Sequence, residues 1–159
     1  MNVNCVLCPV DFSGPSDIAL RYASALAREA KARLVIVHVE ETLPEYPADI
    51  TGYGMGVAES NRIRLADLLA HIQSIIKGVD FEQRILKGDP AHEIIRLAER
   101  EKTDLIVMGT HGRRGLSRLL MGSVAEWVMR RANCPVLTVR LPEITPEETQ
   151  ATQSTAASQ

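Results

Sequence analysis

Four glycines and three arginines fall within GTHGRRGLSRLLMGSVAE, Gly109 to Glu126, a stretch with no acidic residue before Glu126. Glycine at this density lets backbone amides come close to a ligand, and at Gly122-Ser123 the run passes into a new helix-like apolar pattern. A helix N-terminus presents unbonded N–H groups and a partial positive charge. Arg113, Arg114 and Arg118 add guanidinium charge that suits phosphate. The chemistry is anion binding, and the phosphates of a nucleotide are the natural candidate. Two common phosphate signatures do not fit. No lysine occurs in the loop, which excludes G-x-x-x-x-G-K-[ST]. The glycines of GYGMG, Gly52 to Gly56, have the wrong spacing for G-x-G-x-x-G and do not directly follow a strand.

Single residues elsewhere carry weaker signals. Asp11, in PVDFS, reads either as a turn residue at a strand end or as a ligand contact. Ser123 and Glu126 form S-x-x-E, a capping box that would satisfy the same amides internally. Cys5 and Cys8 make a C-x-x-C, but in a strand residues three apart point to opposite faces, which argues against a redox or metal role. Cysteine totals three, an odd number that speaks against a disulfide scaffold, and Cys134 reads as a small core residue. His38 reads as a packed, hydrogen-bonded strand residue. His111 reads as a solvated loop residue or as part of the phosphate loop. His71 and His92 lie on separate helices, with no metal-ligand spacing.

These residues need a frame, and the hydrophobic pattern supplies it. At 159 residues, 45% of them apolar and 24% charged, the chain has the size and composition of one globular domain, expected over residues 1–142. Five β-branched apolar runs alternate with helical patterns. The strands are Asn4 to Val10, RLVIVHV ending at Val39, DFEQRIL, TDLIVMG and PVLTVR. One helix spans about Ser16 to Lys31. A second carries the stripe Leu65, Leu68, Leu69, Ile72 and Ile76. A third opens with Asp89 as N-cap and Pro90 in its first position, and the last runs from about Ser123 to Ala132. Alternating strand and helix predicts an α/β fold, an open parallel five-stranded sheet covered on both faces. In such sheets a ligand sits beyond the carboxyl ends of the strands, where the strand order reverses. That singles out the segments after the first, second and fourth strands.

The spacing G-x2-G-x9-G-[ST], formed by Gly109, Gly112 and Gly122-Ser123, is joined in order by PVDFS, VHV, GDPAHEI, DLIVMGTHG and NCPVLTVR. Together these resemble the ATP-binding branch of the universal stress protein family over about Asn2 to Arg140. The resemblance implies a Rossmann-like sheet of order 3-2-1-4-5 and ATP as ligand, with Mg2+ held through the nucleotide. Carried over by position, it places Pro9, Val10 and Asp11 at the nucleoside and the backbone of Val39 at adenine. Met108 and Gly109 would flank the ribose. His111 and Gly112 would begin the phosphate loop, with Arg113 beside them. Gly122, Ser123 and Val124 would hold phosphates through amides and the serine hydroxyl. The arginines lie outside the family's defining motif and are given only an electrostatic role. The resemblance also implies a homodimer, formed by antiparallel pairing of the last strand, Val136, Leu137, Thr138, Val139 and Arg140.

The expected function is a nucleotide-responsive stress or signalling module with little or no hydrolysis. Phosphoryl transfer needs a residue that orients the attacking group, and none stands out in the sequence. The alternatives are a non-nucleotide dimeric interaction protein of the same family, disfavoured by the intact glycine spacing, and a slow ATPase. A formal net charge of −2 argues against nucleic-acid and membrane-surface partners. Neither a signal peptide nor an apolar run of ~20 residues is present, so a cytoplasmic protein is expected. The glycine-rich connection Glu40 to Val57 reads as a lid beside the adenine position. The polar stretch 143–159 reads as disordered.

Overall fold

The computed structural model describes residues 2–41, 66, 70–76, 78–110 and 121–140. Five strands are seen: β1 (Cys5–Pro9), β2 (Arg33–Glu40), β3 (Phe81–Lys87), β4 (Leu105–Gly109) and β5 (Val136–Val139). The helices are α1 (Gly14–Ala30), α2 (Pro90–Arg100) and α3 (Ser123–Arg131), with a further helical stretch over residues 70–75. The strands form one sheet in the order β3-β2-β1-β4-β5, and every pairing is parallel. This is the order that the resemblance implies. Relative to the apolar pattern β1, β4 and β5 are trimmed by one or two residues, whereas β2 and β3 run one residue further, to Glu40 and Lys87.

Period-two alternation builds a core on each face of the sheet. Val6, Cys8, Val10, Leu34 and Ile36 pack against Ala19, Leu20, Ala23 and Ala27 of α1 and against Ile72 and Ile76. Cys5, Leu7, Val35, Val37, Ile106 and Met108 face Ile94 and Leu97 of α2 and Ala125 and Val128 of α3. Cys5 and Cys8 therefore do lie on opposite faces, and burial pushes both thiols above their ordinary range, which leaves them unreactive. Cys134 is half-buried against the α2/α3 core.

Local capping explains the helix limits. α1 begins two residues before the expected Ser16 because Ser13 is its N-cap, its side chain accepting from the Ser16 amide at 3.4 Å. It ends at Lys31, in the left-handed region at φ 54°. Asp89 caps α2, its carboxylate accepting from the His92 amide at 2.9 Å, with Pro90 next. No helix among the described residues is long and apolar enough to cross a membrane. The lid proper, 42–57, the helix stripe at Leu65, Leu68 and Leu69, and the tail 143–159 lie outside the described residues.

Candidate functional site

The sheet's register opens a crevice at the carboxyl ends of its central strands. β1 stops at Pro9, which pairs with Val37, while β2 continues beside β3 as far as Glu40. On the other side β4 runs on beside β5 to Gly109, paired with Val139. The chain leaves β1 through Val10, whose amide donates to the Val37 carbonyl at 2.8 Å, and turns into α1. The β1-facing edge of β2 at Val39 is thus left beyond the reach of β1. Since β1 connects to α1 on one face while β4 leads towards α3 on the other, this crevice is the topological switch point.

The turn at its floor is tightly bonded. The Asp11 carboxylate accepts from the Ser13 amide at 3.2 Å and from the Ser13 hydroxyl at 2.6 Å. The Asp11 amide donates to Ser16 Oγ at 3.1 Å. The turn reading of Asp11 is therefore correct, and it fixes where the carboxylate sits. Phe12 adopts φ 67°, a left-handed conformation uncommon for a bulky residue. Its ring lies 4.7 Å from the ring of His38, whose Nδ1 is 2.8 Å from the Val10 carbonyl. A carbonyl only accepts, so Nδ1 carries the proton. His38 is half-buried and hydrogen-bonded, as the sequence suggested.

Side chains and backbone divide the remaining positions. Val10 and Met108 are buried in the core, so only their backbone can face a ligand; Pro9 and Val39 are half-buried. Gly109 has a steric reason of its own. A Cβ there would lie 2.9 Å from the Pro15 carbonyl carbon, so only glycine lets the first turn of α1 close on the end of β4. Thr110, which sequence reasoning passed over, is 2% exposed and joins three elements. Its amide donates to the Val139 carbonyl at 2.9 Å, and its own carbonyl accepts the Gly122 amide at 2.7 Å. Its place beside the glycine pair was the only available signal. That last bond draws the start of α3 to the end of β4.

At α3 the capping box is not formed. Gly122, rather than Ser123, is the N-cap, with φ −62° and ψ 147°, and no side chain among the described residues caps the helix terminus. Ser123 is the first helical residue and exposed. Glu126 turns along the helix to Arg130, with Oε1 2.9 Å from Nη2. Among the described residues the first-turn amides at Ser123 and Val124 therefore have no side-chain cap, and the Glu126 charge is paired away from them. The structure brings Pro9, Val10, Asp11, Val39, Met108 and Gly109 to the crevice. Gly122, Ser123 and Val124 join them through the Thr110 bond. His111, Gly112 and Arg113 lie outside the described residues. Free first-turn amides and the partial positive charge of a helix N-terminus attract anionic groups in general. Among the described residues no group of three or more His, Cys, Asp or Glu side chains could hold a metal ion directly.

Comparison with known proteins gives this arrangement a setting. A profile of the universal stress protein family matches residues 3–140. The universal stress protein MJ0531 of Methanocaldococcus jannaschii is 36% identical over 140 residues, covering 87% of this chain and 82% of its own. A solved universal stress protein in complex with cAMP superposes with a TM-score of 0.62 at 27% identity, over 88% of this chain and 98% of its own. The universal stress protein from Archaeoglobus fulgidus in complex with dAMP gives a TM-score of 0.58 at 25% identity, over 87% of this chain and 99% of its own.

Proposed function

The chain belongs to the universal stress protein family, and on that premise we propose that it is an ATP-binding member of it. In this reading nucleotide occupancy is the signal, hydrolysis is slow or absent, and the protein works in the cytoplasm as a stress or signalling module. One observation carries the reading: the N-terminus of α3, without a side-chain cap among the described residues, tied through Thr110 to the end of β4 at the switch point. Phosphate would take the first-turn amides and the Ser123 hydroxyl, adenine the open edge at Val39, and the sugar the space near Asp11 and Gly109. Mg2+ would enter with the phosphates. Two structural neighbours in complex with cAMP and dAMP support an adenine nucleotide as the ligand class.

The test is calorimetric titration of nucleotide-free protein with ATP and Mg2+, alongside Gly122→Val. The expected result is micromolar binding to the parent chain and none to the variant, because a β-branched side chain at the N-cap crowds the amides that would meet phosphate. A variant that binds as tightly as the parent would remove α3 from the site. Absence of binding to the parent would overturn the nucleotide reading.

A homodimer through β5 is the second part of the proposal. β3, the opposite edge of the sheet, carries Glu82, Arg84 and Lys87, whereas Val136–Val139 of β5 has no charge and leaves Leu137 exposed. Charged side chains deter edge pairing, and their absence from β5, with Arg140 just beyond it, suits a second copy of the chain.

A further inference from the structure

Phe12, in the turn after β1, packs against the core on the α1 face of the sheet, but neither the cap of α1 nor the pairing of β1 calls for its strained backbone. α1 is already capped by Ser13, and β1 is already paired on both sides before the chain reaches Phe12. Yet Phe12 is held at φ 67°, a conformation unfavourable for a residue with a Cβ. Such strain persists only where its surroundings over-determine it, and it gathers at ligand sites. Here the over-determination is visible. The Phe12 ring packs on His38 at 4.7 Å, and His38 is fixed by its Nδ1–H bond to the Val10 carbonyl at 2.8 Å. Val10 is in turn pinned by its amide to Val37. The peptide groups on either side of Asp11 are thereby locked, from below through Val10 and from above through Phe12. The carboxylate itself accepts two bonds from Ser13.

We propose that Phe12 and His38 are positioning residues for Asp11, together holding its carboxylate at the crevice in the orientation that receives the nucleoside. The inference rests on the nucleotide reading above and deepens it. His38 touches no ligand in this account. It acts through the Val10 carbonyl and the Phe12 ring, with Nδ1 as the working donor. Asparagine at position 38 can place an amide N–H close to that nitrogen, so it preserves the bond while removing the ring. Phenylalanine there preserves the ring and removes the donor.

The experiment is a double-mutant cycle read by ATP titration, with thermal melting of every variant recorded beside it. The parent chain is measured first, because a parent that binds no ATP would overturn the function itself, a different failure from that of the cycle. With the parent binding, Phe12→Ala and His38→Ala should each weaken ATP affinity about tenfold, equal to ~1.4 kcal/mol. In an Asp11→Ala background the same changes should weaken it no further, because groups that act through one residue are non-additive. His38→Asn should recover most of the affinity that His38→Ala loses. Phe12→Asn tolerates the left-handed backbone but lacks the ring, so it serves if Phe12→Ala does not fold; it should also weaken binding. Affinity unchanged in the single variants overturns the proposal. So does an equal loss with Asp11 present and absent, the mark of a merely structural role.

Discussion

The two ends of the sheet are built on different terms. At the amino end, polar groups close on one another. The Asp104 carboxylate accepts from the Asn4 amide at 2.7 Å and the Cys5 amide at 3.0 Å. Arg33 bridges Glu82 at 3.2 Å and Glu101 at 2.8 Å, and Arg84 makes a second link to both acids. At the carboxyl end α1 and α2 have side-chain caps, but α3 starts on a glycine with none. The strained Phe12 lies at this end as well. An α3 terminus without a side-chain cap among the described residues thus sits at the end where the strand order reverses, while ion pairs and carboxylate–amide bonds gather at the opposite end. Charge pairing is gathered where no ligand is expected, and a helix start without a side-chain cap among the described residues where one is.

Three changes probe that division, and the first tests whether β5 belongs to either end. Replacing both Val136 and Thr138 with lysine should convert a dimer entirely to monomer by light scattering; a dimer that persists would refute this interface. The next falls at the carboxyl end yet should act on folding. Gly109→Ala forces a Cβ against Pro15 and should cost about 1–3 kcal/mol, a melting temperature lower by several degrees. An unchanged melting temperature would show that α1 yields easily and that this end is softer than its contacts suggest.

The smallest effect is at the amino end. Amide bonds from Asn4 and Cys5 hold the Asp104 carboxyl below the ordinary aspartate range. Its contribution to stability is therefore complete above about pH 3.9 and is lost as pH falls through the lower folded value. Asp104→Asn should flatten this part of the acid limb of a melting-temperature profile and leave ATP affinity untouched. A change in nucleotide affinity would mean that the two ends are coupled.

Much of this was legible from residue types. The alternation of apolar runs gave a parallel sheet, and Asp89-Pro90 marked the start of α2, because those signals are local and repeat. The α3 cap was misread for a definite reason. Ser123 and Glu126 have capping-box spacing, but Gly122 can serve as N-cap, which moves Ser123 one position inside the helix and frees Glu126 to meet Arg130. The bend at Phe12 was invisible, since neither glycine nor asparagine marks it. The Phe12 ring meets His38 on β2, and only the folded chain brings the two together. Thr110 was hidden similarly: its two backbone bonds depend on where β5 and α3 end up.

The bonds from Asn4 and Cys5 to Asp104 span 100 and 99 positions of sequence. β1 is the middle strand, yet one of its two neighbours is made from residues that leave the ribosome about a hundred residues later. The first half of the chain can zip β1 to β2 early, but the other margin of β1 must wait, apolar and unpaired, until Leu105 and Ile106 arrive. Joining the halves is the step of long loop closure, and so the one on which folding speed turns. During synthesis this protein's most buried strand is also its longest-exposed edge.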